Sequence, residues 1–450
     1  MTRDLTKGSP MKLILGFGIP VLLGNLFQQL YNVVDTAIVG KTLGGSALAA
    51  VGNTGSINFL VVGFCVGVCG GFAIPAAQQF GAGNEKELRR YVAGGVWLTL
   101  LLGILLTLST VLFCKNILTG MQTPDDIFQR SYWYIVTIFA GLPAYFLYNF
   151  TASILRSLGD SRTPVIWLST AAVVNMVLDV IFILAFHLDV FGAALATVLS
   201  QLLAGTGCLV RMLRGYPILR MEAEDWHWEG RRMAQLCLMG LPMGLQFSIT
   251  AIGSVMIQTA VNGLGTACVT AVTAASKVSL FFTCPFDALG STMATYGGQN
   301  VGAGKLDRIG QGLKSCILLG AGYSVIALGI STLFGRPLAK LFLDASEAAI
   351  IDDVKLFLTL ATAFYFPLAL VNIIRFMIQG VGFPFFAILA GVFEMVARAL
   401  AGFVLVPQLG FMGSCLGSPI AWILADAFLI PAYFHVRKRL RRMAGSSAGR

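Results

Sequence analysis

Asn25, Gln28, Asn32 and Asp35 follow one another at spacings of three, four and three within an otherwise apolar run. At 100° per residue they fall inside an arc of about 80°, which makes one polar stripe on a helix. In hydrocarbon those amides and the carboxylate would each go unpaired, so the stripe must meet water or another polar helix. A water-filled cavity that receives a ligand is the functional reading, and a hydrogen-bonded seam between helices is the structural one. Asn175 and Asp179, four apart, stack on one face of a later apolar run. Two carboxylates and amide oxygens from different helices would form a hard oxygen cage that suits a small cation or a shared proton. The residue types leave that choice open, and burial for packing alone stays open beside it.

A charge held at mid-bilayer costs at least about 2.5 kcal/mol, so every one retained there needs a partner or a use. Lys277 and Asp287 are ten residues apart, roughly 15 Å along a helix, and cannot pair within it. Either could line a cavity or sit near an interface, and Asp426 faces the same choice. Glu394 and Arg398 have the four-residue spacing and the order of a helical ion pair, and a structural bridge is expected there. Arg375 is expected near a cytoplasmic helix end, where it can snorkel. Gln246 is a candidate cavity residue on a run that carries no acid. Pro20 removes an amide donor and frees the carbonyl of Gly16, which predicts a hinge in the helix bearing Asp35, with packing relief as the alternative.

The elements that must hold these residues follow from composition. The chain has 450 residues, 56% hydrophobic and 12% charged, about half the charge of a soluble domain. A soluble protein of this length could not hide so much apolar surface. The nine Cys are scattered, with neither zinc nor thioredoxin spacing. The three His, His187, His227 and His435, sit at the ends of apolar runs, so no buried imidazole relay is available. The formal charge of +10 lies between apolar runs and does not indicate nucleic acid.

About 12 apolar windows are long enough to cross a membrane. The expected spans are 13–37, 48–76, 91–114, 132–155, 164–187, 191–211, 233–261, 271–297, 313–335, 354–379, 384–406 and 412–435. The amino terminus, the even connections and the tail hold about 21 Lys and Arg, against about five on the other side, which predicts both termini in the cytoplasm of a multi-pass cell-membrane protein.

The chain also repeats at an offset of about 220 residues. Gly18-Ile19-Pro20 returns as Gly240-Leu241-Pro242, and Gln78-Gln79-Phe80-Gly81-Ala82-Gly83 as Gln299-Asn300-Val301-Gly302-Ala303-Gly304. With six spans each, the halves share one orientation, the plan of a two-lobed transporter with parallel repeats. The expected boundaries are 1–215, a cytoplasmic linker 216–232 and 233–450. The fold class is all-α, two pseudo-symmetric six-helix bundles.

Taken in order, Pro20 ahead of Leu30-Tyr31-Asn32-Val33-Val34-Asp35, the repeated Gly-Ala-Gly motif, and Asn175-x-x-x-Asp179 within two six-span halves resemble the multidrug and toxic compound extrusion (MATE) family over nearly the whole chain. The resemblance implies a V-shaped pair of lobes. It also implies export of organic cations or amphiphiles against Na+ or H+ by alternating access. It is nearest to the DNA-damage-inducible (DinF-like) branch, whose first-lobe cation site is matched by Asp35, Asn175, Asp179 and Thr197. A second-lobe acid that another branch places on the seventh span is absent.

The expected substrate residues are Asn25, Gln28, Asn32, Asp35, Gln246 and Asp287. No cofactor is expected beyond the transported ion. The expected partners are a small cationic or amphiphilic molecule and membrane lipids, with no nucleic acid, and the chain is expected as a monomer. A flippase for lipid-linked saccharides is the alternative, although it would want a cationic cavity. The basic signature of the major facilitator superfamily is missing after the second span. Hydrolase, protease and nucleotide-binding signatures are missing from the spans, which argues against an intramembrane enzyme. A passive channel is disfavoured because a two-lobed chain lacks a multi-subunit filter ring.

Overall fold

The computed structural model describes residues 4–341, 343 and 347–447. The described residues form α-helices joined by short turns, with no strand. In chain order these are α1 (Pro10–Leu43), α2 (Gly45–Ala82), α3 (Glu85–Leu112), α4 (Cys114–Gly120), α5 (Asp125–Ala140), α6 (Leu142–Ser157), α7 (Arg162–Val180) and α8 (Asp189–Gly215). The second half follows with α9 (Gly230–Asn262), α10 (Thr266–Gly302), α11 (Leu306–Ala339), α12 (Ala348–Ala363), α13 (Tyr365–Gly380), α14 (Pro384–Leu400), α15 (Val406–Leu409) and α16 (Phe411–Ser447).

Ten helical stretches are long and apolar enough to span a membrane, and two bent pairs bring the number to 12. The expected windows fall in the right places, and two of them are bent. The fourth and tenth spans are not straight: α5 and α6 meet at 45°, and α12 and α13 at 50°. Each bend is followed by proline, Pro143 as the second residue of α6 and Pro367 as the third of α13. A proline there cannot donate to the carbonyl four residues back, so the ladder breaks at Gly141 and at Phe364.

Contacts divide the chain into two units. One comprises mainly Leu23–Phe247, the other Leu5–Leu22 with Ser248 onward. The start of α1 thus belongs with the second repeat and the start of α9 with the first, whereas boundaries drawn at 215 and 233 would keep each helix with its own half. The core of the first unit is built on Phe72, Ile135, Phe139 and Leu155. That of the second is built on Phe17, Phe286, Tyr296 and Tyr365.

Outside these cores the helices present apolar side chains outward. Leu105 and Leu112 on α3 are 61% and 73% exposed, and Val325 and Leu333 on α11 are 72% and 76% exposed. Water would not tolerate such continuous apolar faces, but lipid tails solvate them at no cost.

Within the first unit α2 and α9 approach on glycine. A Cβ on Gly71 would lie 2.5 Å from the Gly240 Cα, and one on Gly67 would lie 2.4 Å from the Met243 carbonyl oxygen. Small residues allow this because association in lipid rests on van der Waals packing.

The repeated Gly-Ala-Gly motif has a structural explanation. Gly83 and Gly304 have φ of 71° and 69°, the left-handed conformation that stops α2 and α10 and that a side chain would strain. In the second copy Gln299 accepts from the Leu5 amide at 2.9 Å, and the Lys305 ammonium donates to the Thr6 carbonyl at 2.9 Å, so the motif also anchors the start of the chain. Residues 216–232 lie on α3, through the Arg89–Asp225 ion pair at 2.9 Å and an edge-on contact of Trp97 with Trp226.

Candidate cation site

Asp35 reaches its position because α1 runs unbroken through Pro20 for 34 residues. It carries the expected stripe with Gln28 and Asn32 exposed and Asn25 and Asp35 half-buried. On α7, Asn175 and Asp179 are fully buried, and on α8 Thr197 is buried. All of these lie in the first unit.

The structure brings Asp35 and Asp179 together: their carboxyls lie within hydrogen-bonding reach of one another. The Thr197 hydroxyl organises the rest. It donates to the Ala193 carbonyl at 3.0 Å, accepts from Asn175 Nδ2 at 3.3 Å, and sits 3.3 Å from the Tyr31 hydroxyl. With its own proton committed to Ala193, Thr197 is the acceptor of the Tyr31 proton. The Asn175 amide is thereby turned so that its oxygen is free. Four buried acceptors, Asp35 Oδ1, Asn175 Oδ1 and both oxygens of Asp179, have no hydrogen-bond donor.

Neither carboxylate has a Lys, Arg or His partner among the described residues. Buried acceptors without donors are costly, and two facing carboxylates cannot both stay ionised without a cation between them. Beside this group, Phe27, Gln28, Tyr31, Asn175, Thr197 and Gln201 line a small pocket of about 20 Å³, room for one water-sized occupant. The Ser200 hydroxyl and the Gln201 side-chain oxygen, also without donors, stand on the same side.

The sequence reading missed the phenols. Tyr31, Tyr134 and Tyr145 come close enough to interact electrostatically with Asp35. Tyr31 stands four residues before Asp35, so helical stacking could have found it. Tyr134 and Tyr145 reach the site from α5 and α6 across the bend, which leaves no local signal.

A π-helical turn at Ile181–Ala185 follows Asp179, and its counterpart at Ala401–Leu405 follows Arg398. Because both copies have it, the turn belongs to the fold rather than to the site.

Gln246 and Asp287 are not part of this group. Gln246 is buried on the α9 segment of the first unit, and Asp287 is exposed on α10 in the second. At the positions matching Asn175 and Asp179, the second unit holds Glu394 and Arg398, paired at 3.6 Å as expected. Arg375 is a correction. It is 5% exposed and bonds Glu394 directly instead of snorkelling, because the three-residue turn between α13 and α14 folds Arg375 back against Glu394. Asp426 is buried nearby with Oδ1 unpartnered. Among the described residues no group of three or more His, Cys, Asp or Glu could hold a metal ion, so any cation here would rest on carboxylate, amide and hydroxyl oxygens.

Two repeats of helices long and apolar enough to span a membrane, with a buried, unneutralised oxygen cluster in one of them, are the features of a multi-pass membrane transporter. The sequence profile of the MatE family matches residues 20–181 and 242–404, and the chain belongs to that family. The probable multidrug resistance protein YpnP of Bacillus subtilis (strain 168) is 28% identical over 375 residues, covering 82% of each chain. The FAD transporter of Shewanella oneidensis is 23% identical over 366 residues, covering 80% of each. The crystal structure of MATE in complex with MaL6 has the same fold, with a TM-score of 0.91 at 21% identity over 98% of this chain and 99% of that one.

Proposed function

We propose that this transporter exports organic cations and amphiphiles in exchange for Na+ or a proton bound at Asp35 and Asp179. The observation that carries the reading is the set of four buried oxygens with no donor and no basic side chain beside them, an environment that favours a positively charged occupant. A proton shared by the two carboxyls supplies the missing donor, and a Na+ ion takes the same oxygens together with Thr197. The names of relatives such as YpnP support drug-like substrates.

In this reading Asn25, Gln28, Asn32, Asp35, Gln246 and Asp287 are the residues that meet the substrate along its path. Occupancy of the carboxylates changes the contacts of Asp35, and α1 bends at Pro20, two residues before the helix passes from one unit to the other at Leu22. The driving ion gains about 2.3 kcal/mol per charge per 100 mV of membrane potential, offset by charge carried out on the substrate. The chain works as a monomer in the cell membrane with both termini and the 216–232 linker in the cytoplasm, a placement supported by the asymmetry of Lys and Arg.

Efflux of a cationic dye from proteoliposomes, under a Na+ gradient and separately under a proton gradient, tests this for wild type, Asp35→Asn and Asp179→Asn. Wild type is expected to respond to one gradient, and each variant to lose at least about tenfold of that response. A variant that pumps normally under the same gradient would falsify the assignment of its carboxylate.

A further inference from the structure

α10 carries two charges that the mechanism above does not need as a pair. Thr273, Ser276, Lys277, Leu280 and Asp287 are all exposed and fall within an arc of about 100° on this helix, while Ala274, Val278 and Phe286 on other faces are buried. The repeat offers an internal control. At an offset of 221 residues (287 − 66), Gly52, Gly55, Ser56, Phe59 and Val66 of α2 occupy the matching places, and every one is exposed as well. The exposed face is therefore a property of the repeated fold, but the charges are not, since α2 has Ser56 where α10 has Lys277 and Val66 where it has Asp287.

Neither Lys277 nor Asp287 has an ion-pair or hydrogen-bond partner among the described residues, and ten residues of helix, roughly 15 Å, keep them from neutralising each other. A lysine alone could snorkel to the membrane surface. An aspartate ten residues deeper on the same face cannot, because its side chain is too short, so this face meets water and whatever passes through it.

We propose that Lys277 is the anion-recognising residue of the substrate path. Its ammonium takes a carboxylate or phosphate group of a transported amphiphile, while Asp287 takes the positive end, so Lys277 is the residue that distinguishes a zwitterion from a simple cation. The inference rests on the export reading for the role of Asp287 and adds to it the residue that reads an anionic group on the substrate. Charge complementarity sets the selectivity: a ligand without an anionic group has nothing to offer Lys277, and one with it gains a charge-assisted contact.

Rhodamine B, a zwitterion, and its ethyl ester, a cation with the same ring system, form a matched pair of probes. Their binding to the purified protein is followed by fluorescence anisotropy in detergent free of anionic lipid, so that no headgroup competes for the lysine. Lys277→Ala is expected to weaken rhodamine B binding about tenfold and leave the ester unchanged. Lys277→Arg should keep both affinities, and Asp287→Asn should weaken both dyes. Equal loss of the two dyes in Lys277→Ala, or no loss of either, overturns the assignment. Efflux of the ester from phosphatidylcholine proteoliposomes separates the two readings. Normal ester efflux with rhodamine B binding indifferent to Lys277 removes the anion subsite alone, whereas selective binding loss without efflux of either dye supports the subsite and removes the export reading.

Discussion

At the level of single residues, the site is defined by hydrogen bonds that are missing as much as by those that are made. The four-residue spacing of Asn175 and Asp179 was legible, as was the polar stripe ending at Asp35, because helical stacking follows directly from sequence separation. That the carboxyls would meet without any donor between them was not legible, since it depends on how α1, α7 and α8 pack. Thr197 shows the difference plainly. Nothing in its neighbourhood marks it, and it came into view only through family resemblance, yet its hydroxyl receives Asn175 and Tyr31 while bonding Ala193. Thr197→Val keeps the shape and removes the hydroxyl, leaving the Asn175 amide donor and the Tyr31 hydroxyl without their acceptor. Losing buried partners costs about 1–3 kcal/mol each. The variant is expected to melt several degrees lower in detergent and to lose ion-dependent efflux, and Thr197→Ser should restore both. A valine variant with full ion dependence would show that the hydroxyl does not orient the Asn175 oxygen.

At the level of elements, the apolar windows were easy to read and the breaks were not. Hydropathy averages over about 20 residues and passes smoothly across Gly141 and Phe364, although Pro143 and Pro367 stood in view. Arg375 was misread for a related reason: five residues from its helix end it could have snorkelled, and only the turn into α14 shows that Glu394 lies within reach. Element ends outside the membrane offer a sharper test. Asp160 begins α7 by accepting the Arg162 and Thr163 amides at 3.0 Å and the hydroxyls of Thr163 and Tyr216. Burial alone would raise its pKa, but these hydrogen bonds outweigh burial and hold it below the ordinary carboxylate value. A carboxylate with a depressed folded pKa contributes stability that is fully present above its unfolded value, near about 4, and is lost as pH falls through the folded one. Asp160→Asn should therefore lower the melting temperature at pH 7, and its deficit against wild type should shrink as the pH is taken below about 4. A deficit that stays constant across that range would mean that charge plays no part in the cap.

At the level of the whole molecule, the informative feature is that two copies of one fold carry opposite buried chemistry at matching positions. In the first unit Asn175 and Asp179 leave unpaired acceptors, which call for a cation. In the second, Glu394 sits between two buried guanidiniums, Arg375 and Arg398, and the positive charge is already built in. The repeat predicted matched positions, but the sequence alone suggested only the Glu394–Arg398 pair and so missed that a second arginine completes it. This arrangement makes the second unit self-sufficient, and a distinct outcome follows for Glu394→Gln. Removing the acid leaves two like charges close together in a buried setting, with Asp426 as the nearest remaining acid that Arg375 feels. Breaking a buried pair from one side costs about 3–5 kcal/mol. Glu394→Gln is therefore expected to give poorly folded protein, with a large drop in monodisperse yield and melting temperature, and the fraction that folds should retain the wild-type ion dependence of efflux. Asp179→Asn should show the reverse, because its amide supplies the donor that the Asp35 carboxylate lacks: normal or raised thermal stability, and a melting temperature that no longer responds to Na+. If the two variants instead exchange these signatures, the ion is handled in the second unit and the acidic pair of the first is structural.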